Sequence, residues 1–368
     1  MLLAPELEMI RDSVRAFARE RLAPFAAQWD RDGTFPAEAL AGLGQLGLYG
    51  IAVPEEWGGP GLNYLALAVA MEEIAAGDGA TSTIIAVNNL VAGILNGYGS
   101  AAQKEKFLKP LAGGKSLGCF CLTEPHVGSD ASAIRSSARR DGDGWVLNGT
   151  KQFITSGKTA GIAVVFARSE GGAGKKGISA FVLATATPGY TVTRIEEKMG
   201  QHASDTAQIA LEDCRLPADA LLGQEGDEGG RISIAAQSVG LARAAFEAAL
   251  NYARERVAFG KPIIEHQAVN FRLADMATGI EAARQMVWHA ASLRDAGRPA
   301  LKEASMAKLF ASEAAESVCS DAIQIHGGYG YVADFPVERI YRDARVTQIY
   351  EGASDIQRLL IGRTIANE

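Results

Sequence analysis

The sequence predicts a mainly α-helical protein with one β domain at its centre. Apolar residues recur at three- and four-residue steps as far as residue 112, short β-type runs fill the stretch up to residue 222, and long Ala-, Leu-, Glu- and Arg-rich periodic stretches follow. Because helical and strand patterns do not alternate along the chain, a doubly wound nucleotide-binding fold is not expected. The predicted domains are an N-terminal α-helical domain at 1–112, a middle β domain at 113–222 and a C-terminal α-helical bundle at 223–368.

The N-terminal domain is predicted from helical spacing. Leu7, Ile10, Val14 and Phe17 recur at three- and four-residue steps and would share one helix face. A GxGxxG pattern at 42–47 follows a helical stretch, whereas a dinucleotide site needs a strand before it and a helix after it, so it has little weight as a nucleotide site. The other stretches with helical spacing are 36–46, 62–76, 79–98 and 101–112.

The middle domain is predicted from short runs of β-branched and aromatic residues. Asn148-Gly149 lies between two of these runs and is the dipeptide typical of a tight type I′ hairpin turn, so we expect a hairpin there. Cys119 and Cys121 are two residues apart, which would place both on one face of a strand. The runs begin at Trp145, Phe153, Ile162, Ile178 and Thr191.

The C-terminal domain is predicted to be a helical bundle. Periodic stretches cover about 232–256, 263–296 and 300–326, and Gly297-Arg298-Pro299 forms a break between the last two. Helices of this length need partners along their apolar faces, so they are expected to pack side by side.

Composition excludes several classes of protein. A chain of 368 residues buries a large core without disulfides, and 36 Lys and Arg against 43 Asp and Glu give a net charge of -7, which disfavours binding to duplex nucleic acid. No apolar run is long enough to span a membrane, and the start lacks the pattern of a signal peptide. The five histidines show no zinc-ligand spacing, so no metal is expected. The four cysteines are read as reduced thiols of a cytoplasmic protein.

Two segments of the middle domain have residues suited to holding a ligand. In Leu122–Asp130, Pro, Gly and Ser break the strand and expose backbone N–H groups, which suits either a ligand loop or a capped turn. Phe153 and Thr155 would point to the same face of a strand. They would either hold a planar ring or be a core phenylalanine beside a surface threonine.

Three further segments lie in the C-terminal domain. Arg254–Pro262 ends a helix with cations, as the helix dipole favours, and Ile323–Tyr331 runs from a helix into a glycine-rich turn where backbone can approach a phosphate or a ring. Glu351 follows an aromatic residue and precedes Gly352 and a helix start at Ser354. It is either an exposed carboxylate or, if it faces an apolar pocket that raises its pKa, a general base.

The joint order of these segments is more specific than any one of them. LTEPxxGSD, NGTKQFIT, RxxFGKP, QIHGGYGY and IYEGASDIQR follow one another in an arrangement that resembles the acyl-CoA dehydrogenase family over essentially the whole chain. The resemblance implies an N-terminal α-helical domain, a β-barrel-like middle domain and a C-terminal four-helix bundle, assembled as a homotetramer with FAD as cofactor.

The resemblance also implies site residues. Thr123 and Thr155 would hydrogen-bond near the reactive edge of the flavin, and a nucleotide-binding group would hold the FAD diphosphate and adenosine of a neighbouring subunit. The segments that would cradle the flavin contribute Phe120, Leu122, Thr123, Gly128, Ser129, Phe153, Ile154 and Thr155, with Ala353, Ser354 and Asp355 close to the FAD. The nucleotide-binding group is Arg256, Phe259, Gln267, Gln324, Gly327 and Gly328. The substrate contacts would be Ser129, Glu228, Gly229, Gly230, Arg231, Tyr350 and Gly352.

The implied reaction converts a short or short-branched acyl-CoA to the trans-2-enoyl-CoA. Glu351 would take the α-proton, the β-hydrogen would go as hydride to the flavin N5, and an electron-transferring flavoprotein would accept the electrons. Some family members carry their base immediately before the residue that matches Arg231, but Gly230 stands there in this chain, which favours Glu351. The stretch 82–89 resembles the short-chain members, which serve fatty-acid β-oxidation or branched-chain amino-acid catabolism.

Two alternatives stay open, and a departure from the family bears on the first of them. The connection between Gly223 and Gly230 lacks roughly ten residues, which would shorten a substrate-lining helix by several turns. A chain with an altered pocket could be a catalytically idle FAD- or acyl-CoA-binding protein. The other alternative is a flavin acyl-CoA oxidase that passes electrons to O2.

Overall fold

A computed structural model describes residues 2–169, 177–223 and 229–368. A helical region, a sheet region and a second helical region follow one another along the chain, so the predicted order of α, β and α is confirmed. In the described part of the chain no helix is both long enough and apolar enough to cross a membrane.

The N-terminal region is built around two helices that are apolar on almost every side. Asn63 and Asp78 start these helices, since each side chain accepts a hydrogen bond from a backbone N–H three residues on, Ala66 at 2.8 Å and Thr81 at 2.7 Å. Both helices are buried along nearly their whole length. The helices of this region are α1 Pro5–Phe17, α2 Ala23–Asp32, α3 Ala37–Gln45, α4 Tyr64–Gly77, α5 Gly79–Tyr98, α6 Ala101–Gln103 and α7 Lys109–Ala112.

The middle region is an eight-stranded sheet in the part of the chain that is described. Its order is β6-β7-β3-β2-β4-β5-β8, and β1 pairs in parallel with β4. Cys119 and Cys121 lie on one face of β1 as predicted, with their Sγ atoms 3.8 Å apart, and both are fully buried. The strands are β1 Gly118–Cys121, β2 Ser137–Asp141, β3 Gly144–Thr155, β4 Ile162–Ser169, β5 Ile178–Ala184, β6 Tyr190–Ile195, β7 Thr206–Leu216 and β8 Leu221–Leu222.

The prediction of a hairpin turn at Asn148-Gly149 is wrong. β3 runs through both residues, and the turn that joins β2 to β3 contains Gly142, whose φ is 62°. Gly149 lies instead at a shift in the pairing of β3 with β7, and a Cβ there would lie 2.3 Å from the Oγ of Ser136. The glycine is therefore explained by the close approach of a neighbouring segment, a use that the dipeptide alone does not distinguish from a turn.

The C-terminal region is a bundle of long helices. Its first helix begins at Gly229, so Arg231 lies in the first turn, and it is 27 residues long, close to the 29 and 26 residues of the next two. The shortening of this helix relative to the family stays a prediction. The elements are α8 Gly229–Glu255, β9 Val257–Ala258, β10 Lys261–Pro262, α9 Gln267–Asp295, α10 Leu301–His326, α11 Val337–Arg345 and α12 Ser354–Ile365.

Buried ion pairs join the N-terminal helices to the bundle. Glu73 of α4 is bound by Arg15 of α1 at 2.8 Å and by Arg243 of α8 at 2.6 Å. The preceding residue, Glu72, is bound by Arg284 of α9 at 3.0 Å. Two adjacent carboxylates of one buried helix therefore connect three other helices.

Gly240 of α8 marks the closest approach of α8 to α4. A Cβ there would lie 2.3 Å from the carbonyl oxygen of Glu72 and 2.7 Å from the Cβ of Ala75. We expect Gly240→Ala to destabilise the protein by about 1–3 kcal/mol, because the two backbones must separate. Gly97→Ala is the control, since a Cβ at that helical position meets no atom within 4 Å. It should be neutral or stabilising by up to about 1 kcal/mol. Urea unfolding of both variants measures the difference, and equal midpoints would contradict this account of the packing.

Candidate active site

The two segments predicted to cradle a flavin lie side by side. The N–H of Gln152 donates to the carbonyl of Thr123 at 2.8 Å, and the Nζ of Lys151 donates to the carbonyl of Leu122 at 3.1 Å. These bonds place the loop 122–130 against the end of β3, where Phe153 and Thr155 lie.

A buried ion pair fixes this junction, and it was not predicted from the sequence. Lys151 is fully buried, and its Nζ lies 2.8 Å from the Oε1 of Glu124. The Oε1 also accepts a hydrogen bond from the N–H of Ser136 at 2.9 Å, and the Oε2 accepts one from the N–H of Arg135 at 2.6 Å. Burial alone would raise the pKa of Glu124, but these donors outweigh it and lower that pKa to about 2. Burial lowers the pKa of Lys151, and Glu124 opposes this shift. We assign the pair as ionised. The glutamate lies in the LTEP motif and the lysine in the NGTKQFIT motif, and these motifs are the sequence feature from which the pair could have been predicted.

The end of β3 presents Phe153 to the surface. Phe153 has a φ of 58° at a second shift in the pairing with β7, and its side chain is 62% exposed while that of Ile154 is buried. Ser156 follows with a φ of 57°. Non-glycine residues seldom adopt this left-handed conformation, and it is concentrated at functional sites. The exposed ring beside the half-buried Thr155 suits contact with a planar group.

A loop at 199–205 connects this strand end with α11 and α5. The N–H of Ser156 donates to the carbonyl of Asp205 at 3.0 Å. At the other end of the loop, the N–H of Gln201 donates to the Oδ1 of Asp343 on α11 at 2.5 Å, and its Oε1 accepts from the Oγ1 of Thr83 on α5 at 2.7 Å. The loop therefore fixes the middle domain against both helical domains near the site.

Glu351 lies in a strained turn immediately before α12. Its φ is 53° and that of Gly352 is 90°, and its side chain is half-buried. The carbonyl of Gly352 accepts two hydrogen bonds, from the Nζ of Lys308 at 2.7 Å and from the Nε2 of Gln357 at 2.8 Å. The left-handed backbone conformation is energetically unfavourable for a glutamate, and the two hydrogen bonds to the next carbonyl offset this cost. Neither Lys308 nor Gln357 was predicted.

A cluster of buried polar side chains lies behind Tyr350, the residue before Glu351. The hydroxyl of Tyr350 donates to the Oε1 of Gln237 at 2.5 Å, and the Nε2 of Gln237 donates to Thr83 and Ser82, each at 2.7 Å. Burial raises the pKa of Tyr350 to about 12, so its hydroxyl stays protonated. Gln237 was missed because it lies in none of the motifs.

The predicted nucleotide-binding group gathers at one end of the bundle. Phe259 is 96% exposed with a φ of 52°, its ring lies 5.9 Å from that of His266, and the guanidinium of Arg256 lies 5.9 Å from the ring of Tyr329. α10 ends at His326 as predicted, and a Cβ at Gly327 or Gly328 would meet no atom within 4 Å. Gln267 starts α9, and Gln324 is exposed. Among the described residues no hydrogen bond, ion pair or ring contact joins this group to 120–129 or 153–155 of the same chain.

The predicted substrate contacts are described in part. Glu228 lies outside the described residues, and Gly229 and Gly230 begin α8. Within the described residues, the Nε of Arg231 and the Oγ of Ser354 are buried and have no hydrogen-bond partner. Ala353 occupies the cap position of α12 without a side-chain bond, so Ser354 starts the helix but does not cap it, and Gly128, Ser129 and Asp355 are exposed.

Family models match all three regions of the chain. The acyl-CoA dehydrogenase N-terminal domain matches residues 4–115, the middle domain 119–214 and the C-terminal domain 225–366. The chain belongs to the acyl-CoA dehydrogenase family. It is therefore an oxidoreductase that acts on a CH–CH bond, with FAD as its cofactor.

Relatives and solved structures agree with this assignment. The short-chain specific acyl-CoA dehydrogenase of Homo sapiens mitochondria is 49% identical over 364 residues, which cover 96% of this chain and 88% of the relative. Butyryl-CoA dehydrogenase of Megasphaera elsdenii superposes with a TM-score of 0.97 at 39% identity, covering 100% of this chain and 99% of the other. A chain from the structure of the electron transferring flavoprotein of Acidaminococcus fermentans, solved toward a mechanism of flavin-based electron bifurcation, gives a TM-score of 0.98 at 43% identity, covering 100% of both.

The residues of this acyl-CoA dehydrogenase fit FAD and a CoA thioester. The uncovered backbone at Gly327 and Gly328 and the nearby Arg256 suit a diphosphate, since close approach and positive charge are what it requires. Phe153 and Thr155 offer a ring face and a hydroxyl for the flavin. The unpaired Nε of Arg231 and Oγ of Ser354 offer hydrogen-bonding groups to a polar ligand near Glu351.

Proposed function

We propose that this chain catalyses the α,β-dehydrogenation of a short acyl-CoA, straight or branched, to the trans-2-enoyl-CoA, with Glu351 as the base. The observation that carries the proposal is the turn at Glu351. Glu351 has a half-buried carboxylate and a left-handed backbone, and two buried donors bind the carbonyl of the next residue, so the turn has the geometry of one that holds a group for chemistry. The short-chain and butyryl-CoA specificities of the relatives support the substrate class.

Removal of the α-proton needs an ionised carboxylate. Glu351 and the cation Arg231 both act on the buried ammonium of Lys308, so the three charges form one electrostatic group. Nearby positive charge favours the carboxylate form, which is the form that accepts a proton. Bound FAD supplies the acceptor for the β-hydrogen, which leaves as hydride to the flavin N5.

The buried polar cluster limits the length of the acyl chain. Gln237, Thr83 and Tyr350 satisfy one another's hydrogen bonds directly behind the base. A long apolar chain would have to separate these groups and leave them buried and unpaired, at about 1–3 kcal/mol for each group. A chain of about four carbons is therefore favoured, in agreement with the relatives.

Replacing Gln237 with alanine should lengthen the preferred substrate. The variant removes the amide and opens space at the end of the acyl pocket, so the ratio of kcat/KM for hexanoyl-CoA to that for butyryl-CoA should rise about tenfold, as expected for burial of two CH2 groups. Ser238→Ala is the control, because Ser238 is also buried on α8 but donates to its own helix at the carbonyl of Ile234. An unchanged ratio in Gln237→Ala would show that this residue does not limit the pocket.

The assembly and partners are proposed on the same basis. We propose a homotetramer, the assembly that the family resemblance implies, in which the nucleotide-binding group of one chain holds the FAD of a neighbouring subunit. The lack of contact between this group and the flavin segments among the described residues agrees with that arrangement. We propose an electron-transferring flavoprotein as electron acceptor, supported by the likeness to a chain from the Acidaminococcus structure. A cytoplasmic location is proposed from the four free cysteine thiols. A role in fatty-acid β-oxidation or branched-chain amino-acid catabolism is proposed from the short-chain relatives.

Anaerobic flavin spectroscopy tests the substrate class and separates the rivals. The FAD-loaded protein should be bleached by butyryl-CoA or isobutyryl-CoA and far more slowly by palmitoyl-CoA. The reduced protein should reoxidise rapidly with electron-transferring flavoprotein and slowly with O2. Rapid O2 uptake would favour the oxidase, and a bound flavin that no acyl-CoA bleaches would favour the idle binding protein.

A further inference from the structure

Lys308 of α10 is a fully buried lysine whose hydrogen bond goes to a backbone carbonyl. Its Nζ donates to the Gly352 oxygen at 2.7 Å, whereas the other lysine among the largest fully buried side chains, Lys151, is paired with Glu124. Burying an ammonium group without a bound carboxylate is costly, so such a residue is retained only where its charge or its bond is needed.

The acceptor of this bond is the carbonyl directly after Glu351. Gln357 of α12, also fully buried, donates to the same oxygen at 2.8 Å and approaches the carbonyl of Glu351 at 3.3 Å. A Cβ at Gly352 would lie 2.4 Å from the Nε2 of Gln357, so only glycine fits under this donor. The turn is thus held between α10 and α12.

We propose that Lys308 is a positioning residue for the reaction: its bond to the Gly352 carbonyl, made together with Gln357, holds the turn that aims Glu351, and its ammonium keeps that carboxylate ionised. This inference rests on the proposed function of Glu351. It assigns to a residue outside every recognised motif the task of making the base competent.

The charges around Lys308 agree with this role. In the described part of the chain, the charged side chains that act on its ammonium are Glu351 from the turn and Arg231 from α8. Burial lowers the pKa of Lys308 to about 8, Glu351 opposes this shift and Arg231 adds to it. Lys308 therefore remains mostly cationic at neutral pH. Among the described residues, the titratable groups that interact electrostatically with Glu351 include Lys308 and Tyr350, and Tyr350 is neutral in this range.

Lys308→Met and Lys308→Gln separate the charge from the hydrogen bond. Both remove the charge from a buried site while roughly keeping its volume, and glutamine retains a donor. In the FAD-loaded Lys308→Met protein, we expect butyryl-CoA to reduce the flavin about 10²-fold more slowly than in the wild type at neutral pH, as for a misplaced catalytic group. The acidic limb of its pH–rate profile should move to higher pH, because the carboxylate has lost a nearby cation. Lys308→Gln should show the same shift with part of the rate restored.

The control is Lys302→Met on the same helix, where the lysine is paired with Glu368 rather than with the turn. It should match the wild type in rate and pH profile. The inference would be overturned if Lys308→Met had the wild-type rate per bound FAD and the wild-type acidic limb. If the methionine variant does not fold, the same result in Lys308→Gln would overturn it. Failure of the proposed function would look different, since the wild-type flavin itself would then not be bleached.

Discussion

Replacing Glu351 with glutamine is expected to lower the rate of flavin reduction by butyryl-CoA by about 10²- to 10⁴-fold, the usual contribution of a general base. The carboxamide has nearly the same shape and can occupy the same left-handed turn, but it cannot accept a proton. FAD binding should be unchanged, because Glu351 is not among the predicted flavin contacts and the carboxamide keeps the size of the side chain. Stopped-flow absorbance of the FAD-loaded protein measures the rate, and its visible spectrum measures the bound FAD.

The control for this variant is Glu313→Gln on α10, whose carboxylate pairs with Arg358 at the surface. Exposed pairs of this kind contribute little, so the rate should remain that of the wild type. A Glu351→Gln protein that reduces its flavin as fast as the control would assign the proton transfer to another residue.

Replacing Lys151 with methionine is expected to be the most destabilising of the changes considered, by about 3–5 kcal/mol, because it leaves the carboxylate of Glu124 buried without its cation. FAD content should fall as well, since the same lysine joins the loop 122–130 to the end of β3. Lys151→Met combined with Glu124→Gln should recover part of the stability, because no buried charge then remains. Lys109→Met removes an exposed pair with Glu105 and should cost less than about 1 kcal/mol. Urea unfolding and the ratio of bound FAD to protein measure these effects.

The pH dependence of this pair has a definite sign. The pKa of Glu124 is lowered to about 2 in the folded protein from an ordinary value of 4.5. A depressed carboxyl pKa contributes stability that is fully present above 4.5 and is lost as the pH falls toward 2. The difference in unfolding free energy between the wild type and Lys151→Met should therefore shrink over this window. A difference that stays constant would mean that the two residues do not form an ion pair.

The sequence predicts most of the helices because the spacing of apolar residues that indicates a helix is a local property of the chain. The stretches 62–76 and 79–98 closely match α4 and α5, and the glycine turn after His326 was found from its composition. The wrong hairpin at Asn148-Gly149 has a non-local cause, since Ser136 lies against the glycine. Local patterns do not reveal which distant segment approaches a residue.

The site was predictable only where a motif carries it. Glu351 and the LTEP segment stand in motifs, whereas Lys308 and Gln237 act through contacts with the distant residues Gly352 and Tyr350. Each is a polar side chain on the core-facing side of a helix, which composition alone does not distinguish from a residue that is merely hydrogen-bonded in the core. Packing of the bundle against α5 and α12 supplies the missing information.

An anaerobic single turnover with product analysis is the decisive test of the proposed dehydrogenation and of Glu351 as its base. FAD-loaded protein mixed with one equivalent of butyryl-CoA should lose its flavin absorbance and yield trans-2-butenoyl-CoA in an amount equal to the flavin reduced, and Glu351→Gln should yield neither within the same time. Bound FAD that remains oxidised, with butyryl-CoA recovered unchanged from the wild-type protein, would contradict the proposed dehydrogenation.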